Sequence, residues 1–194
     1  MKKALMIVSV LVVAVVSTAC INNIAVQELN NKANEFMQKG DYESAMNRLQ
    51  ASLDLDSTMY QTYYNLGVAA INAGKFEKAV EALQDGIKIK PDYSDFYYSL
   101  GVAQISLADE LMEPKDENND EGGEEIAKVD VLVKVAPEDK AKAIELKANA
   151  VENLKKYLEL VPNTEDKETI EEMIKQSEEF ITENKEENKE EIKE

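Results

Sequence analysis

The side chains available for chemistry set the first boundary. The chain has no histidine and a single cysteine, Cys20. That removes the usual zinc sites, the Ser–His and Cys–His nucleophile systems and histidine acid–base work. No glycine-rich phosphate loop is present. Carboxylates are plentiful, with 39 Asp and Glu, so composition alone leaves a paired-carboxylate mechanism open. They fall mainly on the solvent faces of expected helices and in two acidic tracts, where solvation explains them. Asp116, Asn118 and Asp120 alternate as calcium-loop ligands do, but Glu121 takes the glycine place and Ala127 the terminal carboxylate. Weak cation binding is all this loop supports. The expectation is a protein that is not an enzyme, with no cofactor, no metal and no small-molecule substrate. Its net charge of −17, with Arg48 the sole arginine, also argues against nucleic acid, whose phosphates supply most of such affinity.

The one thiol sits in a telling place. Lys2 and Lys3 precede an apolar run from Ala4 to Val16, and Ser17-Thr18-Ala19 supplies small residues just before Cys20. Charge, apolar core and small-residue site, in that order, make a secretory signal. Cys20 after them resembles the lipobox of bacterial lipoproteins, although Ser17 stands where that family usually has leucine. The resemblance implies cleavage after residue 19, lipid on Cys20 and residues 20–25 as a short linker. Two other readings stay open: ordinary cleavage leaving a free thiol, or residues 4–21 kept as a short membrane anchor. Lipidation best accounts for a single cysteine here, since a lone free thiol in an oxidising compartment invites mispairing. By the sorting habit of the lipoproteins it resembles, Ile21 in place of Asp after the cysteine implies the periplasmic face of an outer membrane in a Gram-negative cell, and otherwise the outer face of the cytoplasmic membrane. Loss of Lys2 and Lys3 takes the charge from −17 to −19. Such a chain is repelled by anionic headgroups, so attachment has to come from the acyl chains.

An internal repeat organises the rest of the chain. Tyr63-Tyr64-Asn65-Leu66-Gly67-Val68-Ala69 returns 34 residues later as Tyr97-Tyr98-Ser99-Leu100-Gly101-Val102-Ala103. One period earlier, Leu29 aligns with Tyr63, Ala33 with Gly67, Gly40 with Gly74, Ala45 with Ala79 and Leu49 with Leu83. The spacing is that of a helix pair. Gly40 and Gly74 stop the first helix, the alanines admit a close second helix, and Pro91 ends it. This pattern resembles the tetratricopeptide repeat, which implies an all-α, short α-solenoid of helix–turn–helix units. On it the array covers 26–162, with repeats 26–59 and 60–93 and an interrupted third over 94–162.

The third unit departs from the family. Its first helix runs from Ser94 to about Leu107, but Ala108 replaces the turn glycine. Ala150, Leu154, Tyr157, Leu160 and Pro162 then reproduce the spacing of Ala79, Leu83, Gly86, Ile89 and Pro91, displaced by 37 inserted residues at about 108–144. Glu113 to Glu125 reads as an acidic, solvated loop. Val129, Val131, Val133 and Val135 alternate like a strand, either an extended stretch or short helix packed on the array, or a segment that docks against the repeats or pairs with a partner's strand. Pro137 suits a helix start, and that helix reaches Val161. A capping helix is expected over 163–182, opened by Asn163-Thr164 and covering the last repeat, with a disordered charged tail over 183–194.

The resemblance also implies a groove lined by the first helix of each repeat. Its residues here are Gln27, Asn30, Asn34 and Met37, then Tyr64, Val68 and Ile71, then Tyr98, Val102 and Ile105. Within the Tyr64 and Tyr98 trios the i, i+4, i+7 spacing makes one stripe each, and tyrosine favours interfaces. Members that clamp a partner's C-terminal carboxylates use Lys and Arg on these helices, and Asn30, Asn34 and Tyr64 stand there instead. The function expected is a membrane-anchored envelope lipoprotein that binds a protein or peptide as scaffold or assembly adaptor. The alternative is an acidic structural or cation-holding surface lipoprotein whose groove is filled by its own residues 126–136.

Overall fold

The computed structural model describes residues 23–113 and 135–191. The signal segment with Cys20, most of the insertion, and the valine alternation up to residue 134 lie outside the described residues. Helices follow one another throughout: α1 (23–38), α2 (Tyr42–Leu55), α3 (Tyr60–Asn72), α4 (Phe76–Ile89), α5 (Ser94–Met112), α6 (Pro137–Leu160) and α7 (Lys167–Glu191). No strand occurs among the described residues, and no described helix is long and apolar enough to cross a membrane. Two compact units divide at Ser99 and Leu100, within α5.

In the first unit the two tight turns are built alike. Gly40 has φ 75° and Gly74 φ 69°, a left-handed backbone that costs other residues about 1–2 kcal/mol. Around Gly40, Asp41 N donates to Phe36 O and Gly40 N to Met37 O, both at 3.0 Å. Around Gly74, Lys75 N donates to Ala70 O at 2.8 Å and Gly74 N to Ile71 O at 3.0 Å. Each pair closes the end of a helix by satisfying its last carbonyls. The next helix is then started differently. The Asp41 carboxylate accepts from Ser44 N at 3.1 Å, while Lys75 supplies no side-chain cap and pairs with Glu43 of α2.

Small residues let the paired helices touch. Ala33, Ala45, Ala69, Ala70 and Ala79 are fully buried. A Cβ placed on Gly67 would lie 2.5 Å from Leu83 Cγ, so that leucine occupies the space a side chain would need. One on Gly86 would overlap the ring of Phe96, itself fully buried.

The second unit repeats the first of these contacts by another route. A Cβ on Gly101 would lie 2.8 Å from Leu154 Cγ, so Leu154 stands against α5 as Leu83 stands against α3. Sixteen positions separate Gly67 from Leu83 and fifty-three separate Gly101 from Leu154. Lys147, 7% exposed, reaches Asp109 of α5 at 2.6 Å and lies 5.2 Å above the Phe180 ring of α7. Ile170 and Ile174 of α7 are buried.

Four boundaries differ from the sequence reading. Helix α1 has begun by residue 23, inside the stretch read as a linker. Helix α5 runs past Leu107 to Met112, because Ala108 replaces the turn glycine and both Ala108 and Leu111 are buried. Helix α7 opens at Lys167, after a turn in which Asp166 N donates to Thr164 Oγ1 at 3.4 Å. It continues to Glu191, well into the stretch read as a disordered tail. Glu and Lys are good helix formers, and i, i+4 pairs such as Lys175–Glu179 support it.

Candidate peptide-binding surface

Helix α3 has two faces. Leu66, Gly67, Ala69 and Ala70 are buried, while Tyr64, Val68 and Ile71 are half-exposed. At 3.6 residues per turn the exposed trio falls within an arc of about 60°, opposite the buried one. Backbone periodicity thus puts a tyrosine and two aliphatic side chains on the side of α3 that its partner α4 does not use.

Helix α1 presents the same register with other chemistry. Asn34 is exposed and Met37 half-exposed. Asn30 is engaged inside the unit. Its amide nitrogen donates to Val26 O at 2.9 Å and to Ser52 Oγ at 2.7 Å, and its oxygen accepts from Thr62 Oγ1 at 3.2 Å. Ser52 and Thr62 are fully buried, so Asn30 satisfies two hydroxyls that would otherwise cost about 1–3 kcal/mol each. Both of its donors are spent on packing α1 against α2 and α3, so Asn30 acts on the surface only by holding α1 in place.

Sequence spacing missed the aromatic residues around Tyr64. Tyr93 lies 5.4 Å from Tyr64 and 5.3 Å from Tyr60, centroid to centroid, and Phe96 lies 5.8 Å from Tyr64 at 82°. These tilted and edge-on contacts suit the ring quadrupole and hold the tyrosines rigid. Burial raises the Tyr93 hydroxyl to about 12, helped by a hydrogen bond to Asp95. Burial likewise raises Tyr63, with the Asp85 carboxylate adding to the effect. The available signal was density, since six of the eight tyrosines fall between residues 60 and 98. Tyr98, still in the first unit, is half-exposed. The first unit therefore leaves Asn34, Met37, Tyr64, Val68, Ile71 and Tyr98 exposed or half-exposed, with Asp95 hydrogen-bonded to Tyr93 and no Lys or Arg in the set.

Val102 and Ile105 belong to the second unit and are half-exposed on α5. The side chain beside them is committed: Gln104, 2% exposed, accepts from Asn153 Nδ2 at 2.9 Å. No group of three or more potential metal ligands occurs among the described residues.

Residues 36–105 match the family model described as tetratricopeptide repeat. The array has a tetratricopeptide-repeat fold. Solved tetratricopeptide domains superpose over most of their length. The second such domain of human RPAP3, in complex with the HSP70 peptide SGPTIEEVD, gives a TM-score of 0.57 at 14% identity, covering 81% of this chain and 98% of that one. The first domain of Spaghetti (RPAP3), bound to the HSP90 peptide SRMEEVD, gives 0.56 at 15% identity, with 81% and 93% covered. The Arabidopsis OM64 domain gives 0.56 at 15%, with 80% and 96% covered. At these identities the likeness is one of fold. No curated protein sequence matches the chain.

Proposed function

We propose that this tetratricopeptide array is a non-catalytic binding scaffold, held in the cell envelope by lipid on Cys20. The site we assign is the stripe of Tyr64, Val68 and Ile71 together with Met37, Asn34 and Tyr98 of the same unit. The observation that carries this is the division of α3 into a packed face and an opposite half-exposed apolar face. Rigid tyrosines lose little entropy on binding and are favoured at interfaces. The occupant we assign is a neutral or basic segment bearing apolar side chains. Peptides such as SRMEEVD and SGPTIEEVD, held by tetratricopeptide domains of the same fold, carry several carboxylates. Here Asn34 and Tyr64 offer no cation, Asn30 has no free donor, Asp95 adds a negative charge, and the chain as a whole is at −17.

Photocrosslinking from position 64 or 98 in the native cell tests the proposal. A recurrent envelope protein, captured from both positions and lost on Val68→Asp, supports it. Crosslinks only to residues 126–161 of the same chain would show the surface to be filled from within and would overturn it. Anisotropy titration with SRMEEVD should give no saturable binding.

A further inference from the structure

The described chain begins as helix at residue 23, three residues after the cysteine assigned as the lipid site. Three residues reach at most about 10 Å, so lipid on Cys20 pins the start of α1 at the bilayer surface. The tether is too short to let the first unit stand away from the membrane. Some face of it must therefore meet the headgroups, and the side chains around the start of α1 decide which.

That region holds an unusual face for so acidic a chain. A shallow depression on α1 and α2 is lined by Ile24, Ala25, Leu29, Lys32 and Arg48, with Glu28 and Glu35 among its other residues. Ile24 is 67% exposed, more than any other large apolar side chain described. Lys32 pairs with Glu35 at 2.7 Å, which holds the Glu35 carboxyl below its usual range. Two cations against two carboxylates leave the face neutral, and it carries the only arginine of the chain. A chain this acidic approaches anionic headgroups most easily through a neutral patch, and an exposed isoleucine gains by entering the acyl boundary.

We infer that the α1–α2 face around Ile24, Leu29 and Arg48 is a membrane-resting surface, seated on the bilayer by the short tether from Cys20. It rests on the lipoprotein reading, and it orients the protein as well as anchoring it. Arg48 reaches headgroup phosphates, Ile24 and Leu29 lie toward the acyl chains, and the Tyr64 stripe belongs to another helix of the same unit.

The test uses residues 20–194 coupled through the Cys20 thiol to a maleimide phospholipid in phosphatidylcholine vesicles with one part in five phosphatidylglycerol. An environment-sensitive fluorescent amino acid is placed at position 24 or, as control, at the exposed Ile89. The expected result is a blue shift and strong quenching by brominated lipid at position 24, with neither at position 89. Arg48→Glu should reduce that quenching severalfold while the circular dichroism stays unchanged. Equal and weak quenching at both positions would overturn the inference. So would a shift at position 24 that depends on protein density and not on lipid, since that would assign the face to a second copy of the chain. Because the lipid is attached chemically, this outcome is independent of the anchor reading. That reading is checked by the mass of the protein isolated from cells, and an unmodified Cys20 would remove the native basis of both.

Discussion

Helices α3 and α4 are joined by three residues and α5 and α6 by twenty-four, yet both pairs close on a leucine set against a glycine. In the first pair a left-handed glycine and two backbone hydrogen bonds fix the turn. In the second, Ala108 stands where the turn glycine would be, and α5 simply runs on to Met112. The longer closure costs only about 2 kcal/mol more by loop entropy, three doublings of length at about 0.6 each. A well-packed leucine is worth more than that. The helix-pair contact therefore matters more to the repeat than its turn, and a repeat can absorb a large insertion if its glycine and leucine are kept.

The most severe way to break this equivalence is to empty the contact. Leu83→Ala and Leu154→Ala should each cost about 2–5 kcal/mol, read as lowered midpoints in urea melts. If Leu154→Ala were nearly silent, the two pairs would not be alike. Filling the glycine side should do less: Gly67→Ala and Gly101→Ala are each expected to cost about 1–3 kcal/mol by overpacking.

Lys147 sharpens the contrast, because the second unit relies on a buried cation. Asp109→Ala should cost about 1–2 kcal/mol, less than a fully buried pair, since Asp109 is 60% exposed and water screens it. Lys147→Met, which keeps a long unbranched side chain in the buried position and removes the charge, should be close to neutral in the same melts. The turns give a smaller and opposite pair. Gly74→Ala should lower stability by about 1 kcal/mol through its positive φ. Ala108→Gly, at the equivalent place inside α5, should lower it by a similar amount through helix propensity, so glycine helps at one position and harms at the other.

The smallest effect concerns the aromatic cluster. Tyr93 keeps its proton to about pH 12 in the folded chain, whereas an unfolded tyrosine loses it near 10. Its contribution is intact below about pH 10 and declines as pH rises from there through 12, because only the unfolded state gains by ionising. Absorbance titration at alkaline pH should show a late phenol near 12 that disappears in Tyr93→Phe.

Most of the architecture was legible because it is periodic. The 34-residue echo around Tyr63 and Tyr97 fixed α3 and α5, and the spacing of Ala150 and Leu154 placed α6 across the insertion. Less legible was anything decided by a neighbour distant in sequence. Asn30 sits in register with Tyr64, but only Ser52 and Thr62 reveal that its amide is turned into the packing. Tyr93 follows a proline in an irregular stretch, and nothing local shows its ring between Tyr60 and Phe96. The end of α7 was misread for a different reason. Glu and Lys serve both solvated tails and exposed helices, and composition alone does not separate the two.

The wide separation of Gly101 from Leu154 also sets a schedule for synthesis. A ribosome adds about 5–20 residues per second, so α4 can close on Gly67 within a few seconds of that glycine being made. Gly101 has to wait about 3–10 s for Leu154 to be added, and throughout that interval the end of α5 carries its apolar side uncovered. Until then the nascent chain is finished at one end and adhesive at the other, which makes this the step at which it most needs a chaperone or freedom from crowding.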